Sequence, residues 1–219
     1  MVPGDSPDAL GAPITQMPQG AGSQTGTTPV VTGAPVKRGS GTGFSFAEIR
    51  AGDALRTGML ASSQDGSTIM VVARLLDTVG TQTIFYNGPT GSDRWDLTLF
   101  PSGTERLRYV YSTSDGKQAT HPWVPDTEWH VFTVTRTATA VNIGVDLQFK
   151  STTDIAPNRP FGTFQVGQRR NTTAADLLQN IDVAEVLISP SPMLTEYRNA
   201  EIKNLMAYYG MRWGDDIRV

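Results

Sequence analysis

Residues 181–214, IDVAEVLISPSPMLTEYRNAEIKNLMAYYGMRWG, decide the fold. Ile181–Ser189 is an apolar, β-branched run of strand length, followed by Pro190 and Pro192, neither of which can donate a backbone hydrogen bond. Beyond the prolines the period changes. Ile202, Leu205, Met206 and Tyr209 recur at i, i+3, i+4 and i+7, the stripe of an amphipathic helix. Thr195 reads as the N-cap, Glu196 sits in the first turn where the helix dipole favours it, and Gly210 reads as the stop. Such a stripe needs an apolar partner, and the preceding strand implies a sheet. Docking on a membrane or on a partner is the lesser reading.

Working back toward Phe44, the chain is a series of β-branched and aromatic runs separated by turn signals. Strands are expected at 67–76, 83–86, 95–100, 107–111, 118–124, 129–136, 140–148, 161–167 and 181–189. Asp65-Gly66, Asn87-Gly88 and Asp115-Gly116 supply the positive φ of tight turns, and residues 114–117 make the clearest hairpin. In 129–136 both alternating faces carry apolar residues, as in a sandwich strand covered on one side and partly on the other. Nine short strands and one helix predict a mostly β antiparallel jelly-roll sandwich with one short C-terminal helix.

Residues 1–43 differ. They hold 9 of the 22 glycines and 6 of the 14 prolines, no aromatic residue, and only Asp5, Asp8, Lys37 and Arg38 as charges. Such a segment cannot bury enough apolar surface to offset its backbone entropy. It is expected to be an extended attachment arm, held by contacts along its own body or on neighbouring subunits. The sandwich domain is then 44–219. Lys37 and Arg38, its one basic pair, are candidate assembly contacts.

Composition narrows the function. The 219-residue chain has a net charge of −3 and a pI near 5.4, which argues against general nucleic-acid binding. With no cysteine and only His121 and His130, disulfides, thiolate chemistry and histidine-rich metal clusters are excluded. No apolar run approaches the ~18 residues of a membrane span. The N-terminus has neither a basic n-region nor an apolar h-region, which argues against Sec export. No cofactor or metal is expected.

The strand-to-helix ending resembles that of laminin-G-like, concanavalin A-like lectin-glucanase domains, through Glu185, Leu194, Thr195, Trp213 and Gly214. Residues 128–148, EWHVFTVTRTATAVNIGVDLQ, resemble the same family's tryptophan-led hairpin through Trp129, His130, Val145 and Asp146. TFQVGQ resembles its closing strand through Val166 and Gly167. Asp146-Leu147 stands where the family has Asp-Gly. The resemblance covers about residues 67–214 and implies a jelly roll. Stand-alone domains of this kind with low-complexity arms look like phage virion proteins.

Glucan hydrolases in this family carry paired carboxylates on a strand, a spacing that Asn180, Asp182 and Glu185 imitate. Asn180 cannot act as nucleophile, and on a regular strand Asp182 and Glu185 point to opposite faces. Neither histidine shows an arranged carboxylate. Sugar-binding members use rim loops or the concave sheet. The corresponding candidates here are Tyr86, Asn87, Asp93, Trp95, Asp96, His121 and Trp123, because a pyranose needs an aromatic face with directed hydrogen bonds. Core packing is the default role of each tryptophan.

Three functions follow as expectations. The first is a non-catalytic virion protein on the surface of a phage particle assembled in the host cytoplasm. It would be a capsid decoration protein or, second, a neck or tail component, bound to other virion proteins and forming a homo-oligomer. The alternative is a carbohydrate-binding, receptor-binding module that takes surface glycans. The third is a degenerate glycan hydrolase.

Overall fold

A computed structural model describes residues 9–14, 30–32, 35–39, 44–50, 54–59, 66–78, 80–88, 95–100, 107–112, 116–153, 163–166, 180–189 and 191–211. Two antiparallel sheets, each of seven strands among these residues, pack face to face. The strands are β1 (Val30–Thr32), β2 (Val36–Gly39), β3 (Ser45–Ile49), β4 (Ala54–Met59), β5 (Ser67–Leu75), β6 (Gln82–Gly88) and β7 (Trp95–Leu99). They continue as β8 (Leu107–Ser112), β9 (Lys117–His121), β10 (His130–Arg136), β11 (Val141–Val145), β12 (Gln148–Thr152), β13 (Thr163–Val166) and β14 (Ile181–Ser189), before the helix α1 (Thr195–Tyr208). The first sheet runs β1-β4-β13-β6-β7-β8-β9 and the second β12-β11-β10-β5-β14-β3-β2.

Alternation builds the core. On β5, Ile69, Val71, Ala73 and Leu75 face the first sheet, where they meet residues such as Phe85, Leu97, Tyr109 and Phe164. The intervening Met70 and Val72 face the other way, into a second cluster with Val131, Ile202, Leu205, Met206 and Tyr209. The second sheet is therefore apolar on both faces, and α1 covers its outer one. Burying each large aliphatic side chain contributes about 1.5–3 kcal/mol.

The helix stripe is buried as its spacing predicts. Its start differs: Leu194 is the N-cap without a side-chain cap bond, and Thr195 is the first helical residue. Its end has Gly210 at φ +64. Met211 N–H donates to Met206 O at 2.9 Å and Gly210 N–H to Ala207 O at 3.3 Å, the Schellman pattern.

All nine expected strands are present, with three departures. The run 140–148 is broken by a turn at Asp146-Leu147, where Asp146 takes φ +54 and starts the β11–β12 hairpin. Asn87-Gly88 is not a turn; it pairs with Phe164 and Thr163 within β6. Strands β1 to β4 were not expected. Two of them lie inside the segment read as an arm: β1 pairs with β4 and β2 with β3. Ile14 is 2% exposed within the core, and residues 11–14 hydrogen-bond along the free edge of β2. Pairing with the edges of its own sandwich satisfies the backbone of a segment too poor in apolar residues to fold alone.

Candidate functional site

The outer faces of the two sheets have opposite chemistry. On the second sheet, Phe44, Phe46, Trp129 and Tyr209 form an aromatic layer with ring centroids 4.9–6.4 Å apart. Arg74 lies over the Phe46 and Trp129 rings at 5.3 and 5.2 Å. Asp182 pairs with Arg74 at 2.8 Å and Arg50 at 3.1 Å and is almost wholly buried. Glu185 accepts a 2.8 Å hydrogen bond from the Tyr209 hydroxyl. A register shift between Val183 and Glu185 puts both carboxylates on this outer face, contrary to the simple parity expectation. Asp182 is thus held by two arginines of the sheet and Glu185 by Tyr209 at the end of α1, so both carboxylates are engaged in the fold.

The first sheet has its apolar residues inward and its polar residues outward. Phe85, Leu97, Tyr109 and Phe164 face the core, so their neighbours face out. Cross-strand pairing lines up Gln165, Tyr86, Asp96, Val110 and Gln118 in one row and Thr83, Thr98, Arg108 and Thr120 in the next. Thr83, Tyr86, Asp96, Thr98 and Gln165 are buried. Arg108, Val110 and Thr120 are half-buried and Gln118 is exposed, so the polar surface opens toward β8 and β9. The Thr98 hydroxyl donates to Asp96 Oδ1 at 3.0 Å and lies 3.4 Å from the Thr83 hydroxyl. Arg108 stacks over Phe100, with Cζ 4.5 Å from the ring centroid.

The sequence candidates divide accordingly. Tyr86 and Asp96 are paired neighbours on this outer face. Asp93 and the side chains of Asn87 and Trp95 lie outside the described residues. His121 and Trp123 are elsewhere. His121 pairs with the inward-facing Leu107 and is 3% exposed. Its Nδ1 accepts the Trp123 N–H at 3.1 Å. Burial lowers its pKa, a hydrogen bond with the Gln148 backbone opposes the shift and Lys150 adds to it. Trp123 packs edge-on to His130 and Phe132, at 5.1 and 5.3 Å, against the core as the default for tryptophan holds. Of the basic pair, Arg38 bonds to Glu48 on the adjacent strand at 2.9 Å, and the Lys37 backbone pairs with residues 11 and 12.

Sequence reasoning missed two constellations. His130 stands between two carboxylates, with Nδ1 2.8 Å from Asp146 and Nε2 2.8 Å from Asp126. Burial lowers its pKa, but the bonds and charges of Asp146 and Asp126 outweigh it and hold the imidazole above its ordinary value. Asp126 is one helical-turn spacing upstream; Asp146 comes from the far end of the hairpin. The second is Arg108 on Phe100. Alternation in 107–111 gives the side on which Arg108 lies, but not what it stacks on. Among the described residues, no three His, Asp, Glu or Cys side chains converge to hold a metal ion, and no helix is long and apolar enough to cross a membrane.

No protein-family model matches the chain, and no curated protein does. Solved structures share the fold. The binding domain of botulinum neurotoxin serotype G aligns with TM-score 0.66 and 11% identity over 85% of this chain and 48% of that one. A botulinum neurotoxin type C structure, whose cell entry is described as dependent on interaction with two ganglioside molecules, gives 0.64 and 11% over 89% and 51%. Domain 4 of AbnA, a GH43 extracellular arabinanase from Geobacillus stearothermophilus, in complex with arabinotriose, gives 0.60 and 15% over 79% and 87%. The chain spans about half the length of the toxin chains it matches. At these identities the likeness is one of fold: a two-sheet antiparallel β-sandwich.

Proposed function

We propose that this chain is a non-catalytic glycan-binding module that receives sugars on the outer face of the first sheet. The observation that carries the reading is the two polar rows on that face, open at β8 and β9 beside the Arg108–Phe100 stack, while α1 and an aromatic layer close the opposite face. Hydroxyl, amide and guanidinium groups at strand spacing, about 4.8 Å, suit the hydroxyls of a pyranose. Val110 and Phe100 supply the apolar contact that its ring needs. Fold neighbours described with arabinotriose and with gangliosides support a sugar-binding use of the architecture.

Attachment to a virion through residues 1–43, the first expectation, has no support from these neighbours. The described part of that segment lies on its own sandwich, so the glycan reading takes precedence. Chemical-shift mapping of the full chain against a panel of neutral and acidic oligosaccharides tests it. Saturable shifts are expected in 96–100, 107–112 and 117–121, with none in α1. Shifts confined to α1, or no saturation with any sugar at millimolar concentration, would sink the reading.

A further inference from the structure

Arg108 is set apart from Arg38, Arg50, Arg74 and Arg198, though not from Arg136 of the second sheet, whose Nε is buried in the same way. Arg38, Arg50 and Arg74 each meet a carboxylate, and the Arg198 Nε reaches Asn199 Oδ1. The Arg108 Nε is buried and has no hydrogen-bond partner. Among the described residues its guanidinium has one defined contact, the face of Phe100. A buried donor without an acceptor is uncommon in a folded protein and calls for an explanation.

The explanation lies in the geometry of the group. Guanidinium N–H bonds lie in its plane, so stacking one face on Phe100 orients the fork and leaves the edges of the two terminal Nη groups, rather than the buried Nε, for a ligand. Those edges belong to a half-buried side chain between Thr98 and Thr120, at the margin where the polar face opens. Among the described residues the acid on the same face is Asp96, one row along the strands, and its Oδ1 accepts from the Thr98 hydroxyl. The fork matches a planar, two-oxygen acceptor better than a single sugar hydroxyl.

We infer that Arg108 binds the carboxylate of an acidic sugar, so that the ligand class of this face is a glycan carrying a sialic or uronic acid. The inference rests on the glycan reading above and specifies its ligand. Thr120 and Gln118 then contact the neighbouring hydroxyls, and Asp96 disfavours a second negative charge further along the face.

The test measures affinity of the full chain for two pairs of probes by titration. One pair is 3′-sialyllactose and lactose; the other is hexagalacturonate and its methyl ester, and together they separate sialic from uronic acid. At least one acidic probe is expected to bind tenfold or more tightly than its neutral partner, with the preference weakening as salt is raised. Arg108→Gln should abolish the preference, so that each acidic probe binds no more tightly than its neutral partner. Arg108→Lys, which keeps the charge without the fork, should lose most of it, and this second variant covers the case in which glutamine disturbs the stack on Phe100. Equal binding within both pairs, or a preference unchanged in both variants, overturns the inference while the glycan reading stands. No binding by any of the four probes overturns both.

Discussion

The two sheets of this sandwich share a core and differ on their outer faces. The second sheet is closed: α1 seals it with Ile202, Leu205, Met206 and Tyr209, and its charges are paired beneath or beside aromatic rings. The first sheet is polar along two rows and opens at one margin. The difference teaches where stability and recognition reside. A face that buries apolar side chains on both sides of a sheet stabilises the fold and has nothing left to offer a ligand. A face whose outward residues are threonine, glutamine, aspartate, tyrosine and arginine buries less apolar surface, and at its open β8–β9 margin it retains directed groups for a partner.

That contrast is most directly broken by mutation at the two faces. Leu205→Ala and Met206→Ala should each cost about 2–5 kcal/mol in urea unfolding, the range for truncating a buried aliphatic chain. Ile14→Ala should cost a similar amount, because Ile14 is part of the core although it lies in a segment of low-complexity composition. Val110→Ala on the open face should cost under about 1 kcal/mol, since the side chain is only half-buried. Equal losses on both faces would remove the distinction between them.

A smaller effect probes how tightly the closed face is packed. A Cβ on Gly144 would meet Phe149 Cδ1 and Cε1 at 2.5 Å and the Gln148 carbonyl oxygen at 2.9 Å. Phe149 in turn carries Arg198, whose Cζ lies 3.8 Å from the ring centroid, so the ring cannot retreat without disturbing α1. Gly144→Ala is therefore expected to cost about 1–3 kcal/mol, the usual range for overpacking. A variant as stable as the parent protein would show that the β11–β12 hairpin yields easily.

Much of this fold was legible because it rests on local periodicity. The 3.6-residue stripe of 202–209 and the β-branched, apolar runs at 67–76 and 129–136 carry their own signals, and α1, β5 and β10 follow them. What was hidden depends on pairing between distant segments. β1 and β2 carry weak patterns of their own and exist because β4 and β3 offer edges. The bulge that turns Glu185 toward Tyr209 has no local signature either, since Ile181–Ser189 reads as a regular run. Of the residues named for a sugar, Tyr86 and Asp96 share one outward row, as residue type alone could not say. Their separation from His121 and Trp123 was not legible either, because aromatic residues in turn-rich stretches look alike whether they line a rim or fill a core.

The last effect is expected at His130, and its size depends on pH. His130 lies between Asp146 and Asp126, whose bonds and charges outweigh burial and raise its pKa. In the fold the imidazolium persists at pH values where the unfolded chain has already lost that proton. Its stabilisation is therefore complete below the ordinary histidine value of about 6.5 and disappears as pH rises through the higher folded value. His130→Ala should cost about 1.5 kcal/mol at pH 5.5, the lower end for hydrogen bonds to a charged group because Asp126 is half exposed. The cost should shrink by pH 9 to the packing of the ring against Trp123 and Phe132. His121, with its pKa lowered first by burial, acts with the opposite sign: stability tied to it is present above about 6.5 and falls as the pH drops. Comparing parent and His130→Ala at each pH cancels that contribution, since His121 is common to both. Thermal melts giving the same difference at pH 5.5 and pH 9 would mean that the two carboxylates hold a neutral ring, and that the rim is stabilised by packing alone.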